Sequence, residues 1–190
     1  MHKLCPPHLA PVPKNLYTIE IGGGSMLYEA LFRGLHKVQI RYLVVGAVAV
    51  NLHGVPRMTA DLDLMLDMAE PNLRRFVEAT AALGYRPRVP VAADAILDSA
   101  KRREWQESKS MVMFTWIHPT RPYEEIDIFL ENPIDFESAY VNRTDVPIQD
   151  FTIPIAGIHD LIALKRIAGR DQDRSDIDAL TKLLRSDEEG

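Results

Sequence analysis

The chain has 190 residues, enough for one domain with a substantial core, and its 46% hydrophobic and 26% charged residues are typical of a globular protein. The net charge of -5 argues against a general electrostatic grip on nucleic acid, although local basic runs such as Lys101-Arg102-Arg103 leave room for a basic patch. A single cysteine, Cys5, excludes an intramolecular disulfide and a thiolate metal cluster, and no apolar stretch approaches the roughly 20 residues of a membrane helix. Without an apolar leader at the N-terminus, the chain is predicted to be cytoplasmic, with no membrane partner.

Helices and strands are predicted to alternate in the first half of the chain. Residues 1–22 carry four prolines up to residue 13 and predict an extended N-terminal arm, followed by one folded domain over 23–190. The elements predicted next are a helix over 25–39 capped by Ser25, a strand over 41–45, a short buried helix over 47–53, a strand over 61–67 and a helix over 71–83.

The second half begins with a polar, charged segment over 92–109, which predicts a peripheral insertion. The elements predicted after it are a hairpin of strands over 111–117 and 124–130, a helical turn near 135–140, one or two strands within 141–153, and helices over 157–168 and 173–185. Because the strands have one apolar and one polar face, the order predicts an α+β fold: a mixed β-sheet with helices packed on one side and helices at the C-terminus.

The alternating run from Asp61 to Asp67 is the most informative segment. In a strand its leucines face one side, while Asp61 and Asp63 face the other with their Cα atoms about 6.5–7 Å apart. Two such carboxylates can converge on one hard cation such as Mg²⁺. An Asp-x-Asp pair alone is common on exposed strands, where it indicates only a solvated face.

A third carboxylate, Asp127, follows the same pattern in the strand predicted over 124–130. If this strand pairs beside 61–67, Asp127 joins Asp61 and Asp63 on one face, since neighbouring strands lie about 5 Å apart. Three carboxylates on one patch fit two-metal phosphoryl chemistry. Asp61 and Asp63 would hold one Mg²⁺ ion, and Asp127 would hold a second ion and accept the proton of the acceptor.

These segments together resemble a known signature. The nucleotidyltransferase superfamily has a glycine and a small residue before a D-x-D strand, and a third carboxylate on a later strand. The matching motifs here are Gly46-Ala47, then Arg57-x-Thr59-x-Asp61-Leu62-Asp63, then Ile126-Asp127-Ile128. The tail from Asp160 through Lys165, Gly169-Arg170 and Asp173 to Asp176 resembles the minimal and AbiEii-like or MenT-like bacterial members, many of which are toxins of toxin–antitoxin pairs.

The resemblance implies the nucleotidyltransferase (DNA polymerase beta-like) fold and a role for each matching residue. Asp61, Asp63 and Asp127 would be the catalytic metal ligands, with Mg²⁺ as cofactor and an NTP as substrate. The nucleotide-binding residues would be Gly46, Ala47, Arg57, Thr59 and Lys165, with Lys165 reaching the phosphates. Each of these two cations also has a simpler interpretation. Lys165 could be a solvent-facing charge, and Arg57 could form an ion pair with an aspartate. Asp173 and Asp176 could be first-turn helix charges.

Ala47 departs from the family, which usually has Gly or Ser there. The main prediction is transfer of an NMP from an NTP to an acceptor, which could be a tRNA 3′ end, a protein hydroxyl or a small molecule such as an aminoglycoside, with an antitoxin as a candidate partner. The first alternative is a degenerate, non-catalytic nucleotidyltransferase-fold protein that binds a nucleotide or a protein partner. The second alternative is a plain nucleic-acid-binding module, which predicts tight, salt-dependent binding without nucleotide.

Overall fold

The computed structural model describes residues 27–59 and 61–188. The arm predicted over 1–22, like the Ser25 cap, lies outside these residues. Within the described part of the chain, the α-helices are α1 Glu29–Lys37, α2 Gly46–Leu52, α3 Glu70–Ala82, α4 Ser99–Lys109, α5 Phe136–Val141, α6 Ile158–Ala168 and α7 Asp171–Glu188. The strands there are β1 Tyr42–Val44, β2 Leu62–Leu66, β3 Arg86–Pro87, β4 Met113–His118, β5 Arg121–Phe129, β6 Thr144–Ile148 and β7 Phe151–Ile155.

All seven of these strands belong to one mixed sheet, in the order β3-β4-β5-β2-β1-β7-β6. The β2–β5 and β1–β7 pairs are parallel, and the other neighbours are antiparallel. The mixed sheet and the hairpin of β4 and β5 are therefore as the sequence predicted.

One face of the sheet is the hydrophobic core. Leu62 and Leu64 of β2 lie opposite Ile126 and Ile128 of β5, and all four are fully buried. Helices cover this face through aromatic contacts, with ring centroids 5.8 Å apart for Phe76 and Trp116, 5.3 Å for Trp105 and Phe114, and 6.5 Å for Phe32 and Tyr42. These contacts bring α1, α3 and α4 onto one side of the sheet, where large apolar rings contribute most to burial.

The other face of β4 and β5 stays accessible to solvent. Burial alternates along β4 from Met113 to Ile117 and along β5 from Glu124, so that the residues between the buried ones are half-exposed. The half-exposed set is Met113, Thr115, Ile117, Glu125, Asp127 and Phe129. This accessible face, which also carries Asp63, is called the acidic face below.

The segment over 92–109 is anchored in the core and is not the peripheral insertion that the sequence predicted. It forms a 3₁₀-helix over Ala93–Leu97 followed by α4. Ile96 is fully buried, and the ring of Trp105 is buried in a stack on Phe114. Trp105 is the only buried residue of α4, so this helix has no apolar stripe that the sequence pattern could reveal. No helix in the described part of the chain has the length and apolar character needed to cross a membrane.

Candidate functional site

Asp63 and Asp127 lie directly opposite each other on the parallel strands β2 and β5. Neighbouring strands are about 4.8 Å apart, and residues in register point to the same side of a sheet. The flanking pairs, Leu62 with Ile126 and Leu64 with Ile128, point into the core, so both aspartates are on the acidic face. The structure thus has the strand pairing on which the predicted carboxylate cluster depended.

Asp61 is exposed and precedes β2 by one residue, close enough to act on Asp63 electrostatically. Burial, followed by the charges of Asp127 and Asp61, raises the pKa of Asp63 to about 6. The charges of Arg170 and Lys165 oppose this rise. Asp63 is therefore repelled by the other two carboxylates and attracted by the two cations.

The donor set fits a hard divalent cation. Three carboxylates supply the oxygen ligands that Mg²⁺ prefers, and an ion would relieve the repulsion recorded in the raised pKa of Asp63. As the side chains stand, no three His, Cys, Asp or Glu residues in the described ranges are grouped to hold a metal. Closing the three carboxylates around an ion therefore requires side-chain movement.

Thr115 fixes the carboxylate of Asp127. It lies opposite Asp127 in the antiparallel pair of β4 and β5, and its Oγ1 donates a hydrogen bond of 2.5 Å to Asp127 Oδ1. This hydroxyl donor fixes the orientation of the Asp127 carboxylate on the acidic face. The sequence carried no signal for this role of Thr115, since it depends on strand register.

Gly46 packs directly against Asp63. A Cβ atom at Gly46 would lie 1.9 Å from Asp63 Oδ2, and the backbone φ of +62° is in the left-handed region that favours glycine. The N–H of Val45 donates to the carbonyl oxygen of Asp63 at 2.9 Å, which ties the strand ends together. Ala47, the next residue, is buried. A glycine is therefore required at position 46, because the backbone there lies against the carboxylate of Asp63, a candidate metal ligand.

Asn51 holds the segment that leads into β2. Its Nδ2 donates to the carbonyl oxygen of Arg57 at 2.6 Å, and its Oδ1 accepts from the Arg57 N–H. Thr59 Oγ1 makes a longer contact of 3.4 Å to the carbonyl oxygen of Asp61. A polar residue among the alanines and valines of α2 was the available sequence signal for Asn51, because a buried amide needs partners.

Lys165 is buried, so the alternative of a solvent-facing charge is wrong. Its Nζ lies 3.2 Å from Asp173 Oδ1 and 2.5 Å from Asp176 Oδ2. Asp176 also pairs with the guanidinium of Arg57, which confirms the ion-pair alternative for that residue. Burial lowers the pKa of Lys165, and the hydrogen bond to Asp173 opposes this.

Asp173 and Asp176 are both buried, and they do more than complement the helix dipole at the start of α7. Together with Arg57 and Lys165 they form a network of two cations and two carboxylates, called the α6–α7 network below. It connects the segment before β2 with both C-terminal helices. Single-helix reasoning could not predict it, because its members are up to 119 positions apart, from Arg57 to Asp176.

Comparison with known proteins supports the fold. No family model matches the chain, and neither does any curated protein. The structure of the lincosamide antibiotic adenylyltransferase LnuA bound to lincomycin matches with a TM-score of 0.52 and 16% identity, over 80% of this chain and 93% of that chain. The structure of ANT(2")-Ia in complex with adenylyl-2"-tobramycin matches with a TM-score of 0.54 and 12% identity, over 85% and 89%. At these identities the likeness concerns the fold alone, and the chain has the nucleotidyltransferase fold.

Proposed function

We propose that the protein is a Mg²⁺-dependent nucleotidyltransferase. The observation that carries the proposal is the register that puts Asp63 opposite Asp127 on the acidic face, with Asp61 two residues before Asp63. An oxygen of the acceptor hydroxyl attacks the α-phosphorus of an NTP. The bond from that phosphorus to the bridging oxygen of the β-phosphate breaks, and pyrophosphate leaves.

The acidic side chains divide the work of this reaction. Asp61, Asp63 and Asp127 would hold the Mg²⁺ ions, which neutralise the charge of the triphosphate and of the attacking oxygen. Asp127, oriented by Thr115, takes up the hydroxyl proton at its carboxylate. Gly46 leaves the space that the Asp63 carboxylate occupies. Catalysis is then mainly positioning and electrostatics.

The acceptor we favour is a small molecule with a hydroxyl group. Two solved structures of this fold are bound to lincomycin and to an adenylylated tobramycin, respectively. The net charge of -5 agrees with such an acceptor better than with RNA. A tRNA or protein acceptor, as expected of an AbiEii-like or MenT-like toxin, is the competing possibility.

Transfer of label from each α-³²P-labelled NTP tests the reaction and the acceptor together. The protein is incubated with Mg²⁺ and, in separate reactions, with lincomycin, tobramycin, total RNA or cell protein. We expect Mg²⁺-dependent labelling of a small molecule with release of pyrophosphate, lost in D127N and retained in D94A, a variant of an exposed aspartate in the 3₁₀-helix. Label in RNA or protein would contradict the acceptor class, and label retained in D127N would contradict the site.

The alternative is a protein that binds an NTP without turning it over. The observation that favours it is the position of the Asp63 carboxylate against Gly46, where the resemblance had implied a triphosphate. Mg²⁺-dependent NTP binding with no transfer to any of the acceptors would support this alternative.

A further inference from the structure

The two cations that the family resemblance implied for nucleotide binding are already paired with carboxylates inside the protein. Lys165 contacts both Asp173 and Asp176, and Arg57 pairs with Asp176. The α6–α7 network therefore has two positive and two negative charges, and the Lys165 side chain is only 7% exposed. A triphosphate carries about four negative charges that protein cations and metal ions must compensate. The network by itself supplies little of that charge.

Arg170 differs from these two residues in both exposure and pairing. It lies in the turn between α6 and α7. The preceding residue, Gly169, caps the C-terminus of α6 in a left-handed conformation with a φ of +64°. The side chain of Arg170 is exposed. Within residues 27–59 and 61–188, no carboxylate forms an ion pair with its guanidinium, whereas Asp173 and Asp176 are engaged by Lys165 and Arg57. Arg170 therefore has all of its guanidinium donors available to a ligand.

The α6–α7 network holds the main chain at Arg170 in place. The main-chain N–H of Arg170 donates to Asp173 Oδ2 at 3.1 Å, while the other oxygen of that carboxylate accepts from Lys165. Asp173 thus holds the turn beside the buried lysine. The same network reaches the segment before β2, because Asp176 contacts both Lys165 and Arg57, and Arg57 lies four residues before Asp61.

We propose that Arg170 binds the triphosphate of the NTP, and that Lys165 and Asp173 act as positioning residues that hold the α6–α7 turn. The inference rests on the proposed function, since it needs a triphosphate beside Asp63. The network that holds the Arg170 main chain also holds Arg57, in the segment that leads to Asp61 and Asp63. The planar guanidinium can donate two parallel hydrogen bonds to phosphate oxygens, which makes arginine well suited to the task.

Arg166 provides a matched control. It is an exposed arginine in the last turn of α6, four residues before Arg170, and like Arg170 it has no ion pair in the described part of the chain. An arginine that only complements the end of a helix dipole would behave in the same way at both positions. A difference between the two variants therefore reports the position of Arg170 and not its charge alone.

The test measures dissociation constants with Mg²⁺ for the tightest-binding of ATP, GTP, CTP and UTP and for its monophosphate. We expect R170A to weaken triphosphate binding by about tenfold to a hundredfold, the range of one charge-assisted contact. Monophosphate binding and the Tm of the ligand-free protein should be unchanged. R170K should recover part of the triphosphate affinity, and R166A should bind as the wild type does.

Each other outcome overturns a defined part of the proposal. Triphosphate binding by R170A at wild-type strength, or an equal loss in R166A, would overturn the role of Arg170 and leave the proposed function standing. Equal losses for triphosphate and monophosphate, or a lowered Tm of ligand-free R170A, would show that Arg170 is structural. Failure of the wild-type protein to bind any Mg²⁺·NTP would overturn the proposed function, and this inference with it.

Discussion

Gly46 and Asp63 illustrate how closely the backbone approaches a charged side chain at this site. A Cβ at position 46 would overlap the Asp63 carboxylate, and the positive φ adds backbone strain for any other residue. The glycine therefore constrains where the carboxylate can be. A change at this one position should affect both folding and metal binding.

Gly46→Ala should destabilise the protein more than Gly54→Ala and should abolish Mg²⁺·NTP binding. Gly54 also has a positive φ, of +98°, but a Cβ there would meet nothing within 4 Å. Left-handed strain alone costs about 1–2 kcal/mol, which sets the expected loss for Gly54→Ala. Urea unfolding measures both free energies. Equal losses in the two variants would contradict the close approach of Gly46 to Asp63.

The raised pKa of Asp63 makes a prediction about pH in the absence of metal. The folded state binds the Asp63 proton more tightly than the unfolded state, because its pKa rises from 3.8 to about 6. The stability of the metal-free protein should therefore fall as pH rises from about 4 to about 6. At 1.36 kcal/mol per pKa unit, the loss is at most about 3 kcal/mol.

Asp63→Asn is the control for this prediction, since it removes the charge and keeps the shape. The variant should lose the fall in stability between pH 4 and 6, and at pH 7 its metal-free form should be at least as stable as the wild type. Urea unfolding at a series of pH values provides the measurement. A large loss of stability in metal-free Asp63→Asn would instead point to a structural role for the charge.

Sequence reasoning reached the acidic residues because a strand pattern fixes side-chain direction. Alternation put Asp61 and Asp63 on one face and Asp127 on the corresponding face of its own strand, so only the pairing of the strands remained to be learned. The ion pairs of Lys165 could not be predicted from the sequence. They depend on how α6, α7 and the segment before β2 pack together, which no single periodic pattern encodes.

At the scale of secondary-structure elements, the α6–α7 network joins three parts of the chain that carry candidate nucleotide-binding residues. Asp176 of α7 contacts Lys165 of α6 and Arg57 of the segment before β2. Its removal leaves the Arg57 guanidinium without this carboxylate, whereas Lys165 retains Asp173. Breaking one partner of a buried ion pair usually costs more than forming the pair gains.

Asp176→Ala should reduce the free energy of unfolding by about 3–5 kcal/mol, the range for a buried ion pair that loses one partner. Asp178→Ala is the matched control, because Asp178 lies two residues further along α7 and is exposed. It should change stability by no more than about 0.5 kcal/mol. Chemical denaturation compares the two. Similar stability of both variants would show that the network contributes little to the fold.

The 3₁₀-helix and α4 show why the sequence pattern over 92–109 predicted a peripheral insertion. One buried residue in each short helix, Ile96 and Trp105, attaches the segment to the core. In α4 a single buried residue does not produce the apolar stripe by which an amphipathic helix is recognised. A helix such as α4, with many charged residues and a single buried tryptophan, therefore has the sequence pattern of a peripheral element.

Trp105→Ala tests the attachment of α4. The ring of Trp105 stacks on Phe114 of β4 with centroids 5.3 Å apart, so truncation should cost about 3–5 kcal/mol. If the segment were peripheral, the loss would stay below about 1 kcal/mol. Thermal or urea unfolding distinguishes the two results. Native-state hydrogen exchange should then show faster exchange in α4 than in β2 or β5.

At the scale of the whole molecule, the two faces of the sheet have different roles: one packs into the hydrophobic core, and the other carries the candidate site. One face of β2, β4 and β5 is covered by α1, α3 and α4, and the other carries Asp63, Thr115 and Asp127. The core can therefore stabilise the fold while the acidic face tolerates the repulsion among its carboxylates. The sequence predicted this division of faces, because the alternating pattern of β2 and β5 is visible without knowledge of the packing.

The most direct test is thermal unfolding with Mg²⁺ and each NTP, compared between the wild type and the variants D61A, D63A and D94A. At a ligand concentration a hundredfold above its dissociation constant, the wild type should gain about 2.7 kcal/mol of stability. D94A should gain the same, whereas D61A and D63A should gain nothing, and omission of Mg²⁺ should remove the effect. An NTP-dependent gain that survives in D61A and D63A would contradict a metal and nucleotide site built on these carboxylates.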